Sequence, residues 1–314
     1  MHKFYEYDSF VTSYPDIELP RLKNTPGLRV ERVPDITGKW LEDSCLWLKD
    51  NAKRIDVLNL YHLAPRSIRQ ALTYKLHNPK GKVYLKFDGT PMPRRFKFWK
   101  NIKPYIMLSM CKIVSTELQE NAEILSRKWH RKIICVPNPL NPGEIKEYKS
   151  FSERSNTILT VGRLGTQQKA TEILLEAFAK IADKIPNWKL KLAGAIRENM
   201  NIADDFFAKY PDMKERVIFT EHIEDREELI EIYRDSKIFA FPSRWESFGI
   251  ALTEAMMNGC FCVASRIPSS MSLTENFSSA MMLMILTHLL KNYFMHVLMN
   301  QKLKLLPFRE ETQH

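Results

Sequence analysis

Glu246-Ser-Phe-Gly-Ile-Ala-Leu-Thr-Glu254 sets two carboxylates on either side of a glycine turn that opens an apolar helix, Ile250-Ala-Leu-Thr-Glu-Ala-Met-Met257. The apolar run Lys237-Ile-Phe-Ala-Phe241 comes just before and reads as a strand. Strand, short loop and helix N-terminus is the arrangement by which α/β proteins present backbone N–H groups and a positive dipole end to an anion. A carboxylate does not ligate a phosphate, but it accepts hydrogen bonds from sugar hydroxyls. Glu246 lies in the loop and Glu254 about one turn inside the helix, so both can face one pocket. Such a helix end suits a nucleotide sugar, with diphosphate on the N–H groups, ribose on one Glu and hexose on the other. The same residues also fit an ordinary helix whose acidic side chains complement its own dipole.

A second stretch has related chemistry. Thr157-Ile-Leu-Thr-Val-Gly-Arg163 is an apolar strand ending in Gly-Arg, followed by the polar run Leu164-Gly-Thr-Gln-Gln-Lys169. The helix from Ala170 to Ile181 has apolar residues at Ile173, Leu174, Ala177, Phe178 and Ile181, at helical spacing, which makes a βα unit. Arg163 and Lys169 therefore sit near the C-terminal end of a strand, where α/β sheets bind ligands. Arg offers phosphate a planar fork and Lys a point charge. Two solvated surface cations would read the same way.

Together, Val161-Gly-Arg-Leu with Lys169 and Phe241-Pro-Ser-Arg-Trp-Glu-Ser-Phe-Gly with Glu254 resemble the retaining glycosyltransferases of family GT4. The resemblance covers about residues 155–268, including Lys189-Leu-Lys-Leu-Ala-Gly194, Val217-Ile-Phe-Thr220 and Asn258-Gly-Cys-Phe-Cys-Val-Ala264, and weakens towards residue 9. It implies a GT-B fold: two Rossmann-like α/β domains facing each other across a cleft. It also implies roles. Arg163 and Lys169 would clamp the donor diphosphate, and Glu246 would contact the transferred sugar. The backbone of Ser247, Phe248 and Gly249 would hold sugar and phosphate, Glu254 would accept from the ribose, and the base would lie near Gly194 and Ile223. The expected donor is a UDP- or GDP-linked sugar, with no metal or other cofactor. On the N-terminal side, where many members place a His against the sugar, this chain has Asp88. Asp88 is a catalytic candidate or simply the start of a loop, and His62 is a second candidate or a packing residue.

The implied activity is transfer of a sugar, with retention, to a glycan or lipid-linked acceptor in polysaccharide biosynthesis. A nucleotide-sugar 2-epimerase and an inactive remnant that only binds nucleotide sugar are the alternatives. The net charge of +10 favours an anionic partner or surface. Its densest cluster, Arg94-Arg-Phe-Lys-Phe-Trp-Lys-Asn-Ile-Lys103, interleaves cations with aromatics. It reads either as an amphipathic surface helix or as a peripheral contact with a membrane. No nucleic-acid-binding motif surrounds it, so nucleic acid is not an expected partner. No apolar stretch approaches a membrane span, and the scattered Cys45, Cys111, Cys135, Cys260 and Cys262 read as buried thiols of a reducing compartment. The expected location is cytoplasmic, with peripheral contact at the inner face of the membrane.

Expected strands are Ser9–Thr12, Leu28–Val33, Ile55–Leu60, Lys82–Phe87, Lys112–Ser115 and Lys132–Val136, and expected helices Trp40–Ala52, Pro65–Lys75 and Leu118–Trp129. This βαβ series predicts a parallel sheet in an acceptor-side domain over 1–150. A Pro-rich linker from Val136 leads to a donor domain over 151–276, followed by an atypical tail over 277–314. Measured against the family, the first central strand and its Gly-rich loop are expected to be missing, leaving a neighbouring strand with unpaired backbone. The Met-rich tail reads as a frameshifted continuation or as a pair of amphipathic helices.

Overall fold

The computed structural model describes residues 9–15, 17, 28–89, 102–139, 149–196 and 201–276. The cationic stretch 94–101, most of the linker and the tail from 277 lie outside the described residues. The chain divides into two compact units, Met1–Thr116 with Ala122–Cys135, and Glu117–Asn121 with Val136–His314.

The first unit holds parallel strands β1 (Ser9–Ser13), β2 (Leu28–Arg32), β3 (Val57–Tyr61), β4 (Lys82–Lys86), β5 (Cys111–Thr116) and β6 (Ile134–Cys135). Its helices are α1 (Trp40–Asn51), α2 (Pro65–His77), α3 (Ile102–Met110) and, from Ala122 on, α4 (Gln119–Trp129), whose first three residues group with the second unit. Pro65 opens α2 at a position where a missing N–H costs nothing. The strands form two parallel sheets rather than the single one expected. β1 pairs with β2 from Ser9↔Leu28 onward, and β3-β4-β5-β6 form a separate four-stranded sheet. Among the described residues no ladder joins β1 to β3. Both sheets pack on one core nonetheless, where partly buried Phe10 and Leu58 meet buried Leu48, Leu60, Val83 and Leu85. The β1–β2 pair is fastened to α1: Phe10 meets Trp47 edge-to-face at 6.0 Å, and Arg54 lies 5.0 Å from the Phe10 ring while bonding Glu31 at 2.9 Å.

The second unit is a five-stranded parallel sheet of β7 (Ser155–Val161), β8 (Lys189–Ala193), β9 (Val217–Thr220), β10 (Ser236–Phe241) and β11 (Phe261–Ala264), in the order β11-β10-β7-β8-β9. Helices α5 (Thr171–Ile181), α6 (Ile202–Lys209), α7 (Arg226–Asp235), α8 (Ile250–Met257) and α9 (Pro268–Asn276) complete it. Strand periodicity of two sorts the apolar residues onto both faces. Ile158, Ile238 and Ala240 join α5 and α6 in one cluster, whereas Leu159, Phe239 and Phe241 join α7 and α8 in another. Successive strands run outward from β7 to β8 and β9, then return to β10 on its other side. The ends of β7 and β10 are thus the topological switch point, the place where open α/β sheets generally take their ligands. Among the described residues no helix is long and apolar enough to cross a membrane.

Candidate functional site

The loop after β7 is built on two glycines. Gly162 N donates to Ala193 O at 3.0 Å and Leu164 N to Ala195 O at 3.0 Å, so this loop and the one after β8 run backbone against backbone. Gly194 is the point of closest approach: a Cβ there would lie 2.0 Å from the Gly162 carbonyl oxygen, and its φ of +135° already favours glycine. Gly162 leaves room in turn for the Lys169 chain, whose Cε would stand 3.0 Å from a Cβ at that position. Ala170, fully buried, takes a left-handed conformation (φ +50°) to start α5.

These backbone turns bring Lys169 to Glu246. Lys169 Nζ lies 2.6 Å from Glu246 Oε1, with the two side chains only 17% and 9% exposed. Ser243 Oγ donates to the same oxygen at 2.9 Å, and Gln168 Nε2 donates to Oε2 at 3.1 Å. The ammonium also lies 5.4 Å from the centre of the Phe241 ring. Three donors on one largely buried carboxylate fix its orientation, and removing the cation would leave a poorly solvated charge. Arg163 is exposed and joins this group indirectly, through a 2.8 Å bond from Nη2 to Gln168 Oε1.

Glu254 belongs to a different set of partners. It accepts from Arg226 Nη2 at 2.6 Å and from the buried Tyr233 hydroxyl at 3.1 Å, both on α7. Burial, reinforced by the Glu254 carboxylate, pushes the Tyr233 phenol well above its ordinary range, so it remains a donor. Gly249, at φ +96°, is the residue before α8 and turns the loop into the helix. Ser247 is half-buried and Phe248 is buried in the cluster beneath α7 and α8, so Phe248 offers a ligand only its backbone. Ile223 packs partly buried on that cluster, in the loop after β9. In the first unit His62 and Asp88 meet across the ends of β3 and β4. The His62 ring Nδ1 lies 3.1 Å from the Asp88 backbone carbonyl, and His62 itself adopts φ +62°. The contact uses the Asp88 main chain rather than its carboxylate.

The structure therefore unites Lys169, Glu246 and, at one remove, Arg163, and gives Glu254 partners of its own. Gln168, Ser243, Arg226 and Tyr233 are components that the sequence reading did not single out. The loop sequence Gln-Gln-Lys held the one available signal, an amide next to a cation, and it is a weak one.

Residues 143–282 match the family model of Glycosyl transferases group 1. The likeness to that family is confined to this segment. The segment contains β7 to β11 and every residue of the two carboxylate clusters. The chain is 27% identical over 166 residues to an uncharacterized glycosyltransferase of Haemophilus influenzae, covering 52% of this chain and 45% of the relative. It is 29% identical over 239 residues to an uncharacterized 41.2 kDa protein in cps region of Klebsiella pneumoniae, covering 69% and 62%. The match thus spans less than half the length of the first relative and under two thirds of the second. Among solved structures, HepE of Anabaena in complex with UDP superposes with a TM-score of 0.71 at 15% identity, over 96% of this chain and 85% of that one. The matched segment and the unit before it have the GT-B class of fold, built from two Rossmann-like units.

Proposed function

We propose that the chain is a retaining, GT4-type glycosyltransferase that moves a sugar from a UDP-linked donor, or failing that a GDP-linked one, to a glycan or lipid-linked acceptor in cell-surface polysaccharide biosynthesis. The observation that carries this reading is the 2.6 Å contact between Lys169 and Glu246 at the switch point. It places a cation suited to a diphosphate beside a carboxylate suited to sugar hydroxyls, so that one ligand carrying both groups could meet both side chains. In this reading Arg163 and Lys169 neutralise the charge that grows on the departing diphosphate, a service performed without a resident metal. The Ser247–Gly249 backbone and the N-terminus of α8 hold phosphate and sugar. Glu246 accepts from the sugar, and Glu254, held by Arg226 and Tyr233, accepts from the ribose. The base rests by Gly194 and Ile223, and Asp88 supplies a further sugar contact. The UDP bound by the Anabaena neighbour and the cps region of the Klebsiella relative support the choices of donor and pathway.

Peripheral contact with the inner face of the membrane belongs to the same proposal. Leu72 and Leu76 on α2 and Ile102 and Ile106 on α3 are exposed apolar side chains on two neighbouring helices, and α3 adjoins the Arg94–Lys103 stretch in sequence.

Glu246→Gln tests the central role, because the amide keeps the shape and removes the charge. Titration with UDP and with UDP-glucose should leave UDP binding within a few-fold of wild type, while the additional affinity contributed by the sugar disappears. Transfer should fall by about a hundredfold or more. Unchanged binding of the sugar and unchanged transfer would remove Glu246 from the site.

A further inference from the structure

We propose that Gln168 is a positioning residue whose carboxamide holds Arg163 and Glu246 in one arrangement, so that the leaving-group cation and the sugar-binding carboxylate are set by a single side chain. The proposal rests on the reading of those two residues as donor contacts. Gln168 Oε1 accepts from Arg163 Nη2 at 2.8 Å. Its Nε2 donates to Glu246 Oε2 and to the Trp245 carbonyl, each at 3.1 Å. Both amide hydrogens are therefore used, and the oxygen is turned towards the guanidinium.

The polarity of these partners requires an amide. A guanidinium only donates, whereas a carboxylate and a peptide carbonyl only accept. A side chain between them must accept at one end and donate twice at the other. Glu would still serve Arg163 but would set a second carboxylate against Glu246. Leu would fill a similar volume and serve neither neighbour. The loop itself does not depend on the carboxamide: Arg244 N donates to Gln168 O at 2.8 Å, and Arg244 Nη1 to Gln167 O at 2.7 Å. Substitution at Gln168 removes the side-chain link and leaves this backbone attachment in place.

The link matters because Arg163 is exposed and long. A free arginine loses rotamer entropy when a ligand orders it, and a guanidinium already held in place loses less.

The experiment is calorimetric titration of wild type, Gln168→Leu, Gln168→Glu, Arg163→Ala, Glu246→Gln and the double variants with UDP and UDP-glucose, and in parallel with GDP and GDP-mannose. Gln168→Leu should weaken nucleoside diphosphate binding about fivefold in the wild-type background and less than about twofold on Arg163→Ala. Gln168→Glu should leave the diphosphate affinity near wild type, since it still accepts from Arg163, yet lose most of the additional affinity due to the sugar. That loss should not deepen on Glu246→Gln. A residue that merely stabilised the loop would weaken both ligands equally and additively in every background. Additive effects, identical behaviour of the Leu and Glu variants, or a lowered melting temperature with unchanged affinity ratios would overturn the role of Gln168 alone. Failure of the wild-type chain to bind any of the four ligands would overturn the donor-site reading, and this inference with it.

Discussion

Gly194→Ala is a substitution whose added methyl would clash with backbone rather than with a side chain. The new methyl carbon would stand 2.0 Å from the Gly162 carbonyl oxygen and 3.0 Å from its carbonyl carbon, and both obstacles are backbone. No rotamer change relieves the clash, so one of two hydrogen-bonded loops must move. The φ of +135° adds strain for any residue with a side chain, about 1–3 kcal/mol. Displacement of packed backbone adds about 1–3 kcal/mol more. A total of about 2–6 kcal/mol should lower the melting temperature of the second unit by roughly 4–24 °C. Because the moved loop carries Arg163 and Lys169, UDP binding should fall together with stability. Two other glycines calibrate the measurement. Gly249 has φ +96°, but a Cβ there would meet nothing nearer than 3.5 Å, so Gly249→Ala should cost only the backbone strain, about 1–2 kcal/mol. Gly38 has φ +70° with nothing within 4 Å, and Gly38→Ala should cost about 1 kcal/mol. Differential scanning calorimetry of the three variants orders them. A Gly194→Ala chain no less stable than Gly249→Ala would refute the claim that the two loops are in backbone contact.

Ala170 is fully buried in a left-handed conformation, so Ala170→Gly should be neutral within about 0.5 kcal/mol as relief of strain offsets the lost methyl, while Ala170→Val should cost more than about 2 kcal/mol; urea denaturation measures both. Tyr233→Phe removes a buried donor to Glu254 and should cost about 1.5–3 kcal/mol while weakening nucleotide binding several-fold, a pairing that a purely packing role for the ring would not give. Burial pushes the Cys111 thiol up to about 11 and the Cys260 thiol up to about 12, against 9.0 for an unperturbed thiol. Below pH 9 neither group affects stability. Between pH 9 and 12 the unfolded chain has released protons that the native one retains, so stability should fall as pH rises, and a flat denaturation midpoint across that range would contradict the burial. A thiol reagent at pH 8 should leave Cys111, Cys260 and Cys262 unmodified in the native chain.

The second unit was the more legible half because its strands are short and apolar, β7, β8 and β10 are closed by Gly162, Gly194 and Pro242, and α5 keeps a 3.6-residue stripe. Helix α3 was missed for a physical reason. Ile102-Lys-Pro-Tyr-Ile-Met-Leu-Ser-Met110 is apolar almost throughout, Pro104 sits in its first turn where proline is tolerated, and the chain enters β5 at Cys111 without a breaker. The edges of β3 and β6 also shifted by a residue or two, as ends do where no cap fixes them. At the site, the identities of Arg163, Lys169, Glu246 and Glu254 stood out because charge beside a strand end is conspicuous. Their grouping did not, since Glu254 lies near Glu246 in sequence yet takes its partners from α7. The left-handed turn at Ala170 left no trace either, because alanine carries no signal for φ above zero.

The separation of β1 and β2 from the four-stranded sheet bears on the order in which the first unit comes apart. Two parallel strands are too few to be stable alone, so this pair depends on its contacts with α1 and the turn after it, among them Phe10 on Trp47, Arg54 on Phe10 and Glu31, and Tyr14 on Trp40 and Asp43. It therefore forms a foldon of low opening free energy, which breathes while β3 to β6 stay protected. Amides of Ser9–Ser13 and Leu28–Arg32 should exchange with solvent together and ahead of those in Lys82–Lys86, and a protease should nick the chain there without melting the rest.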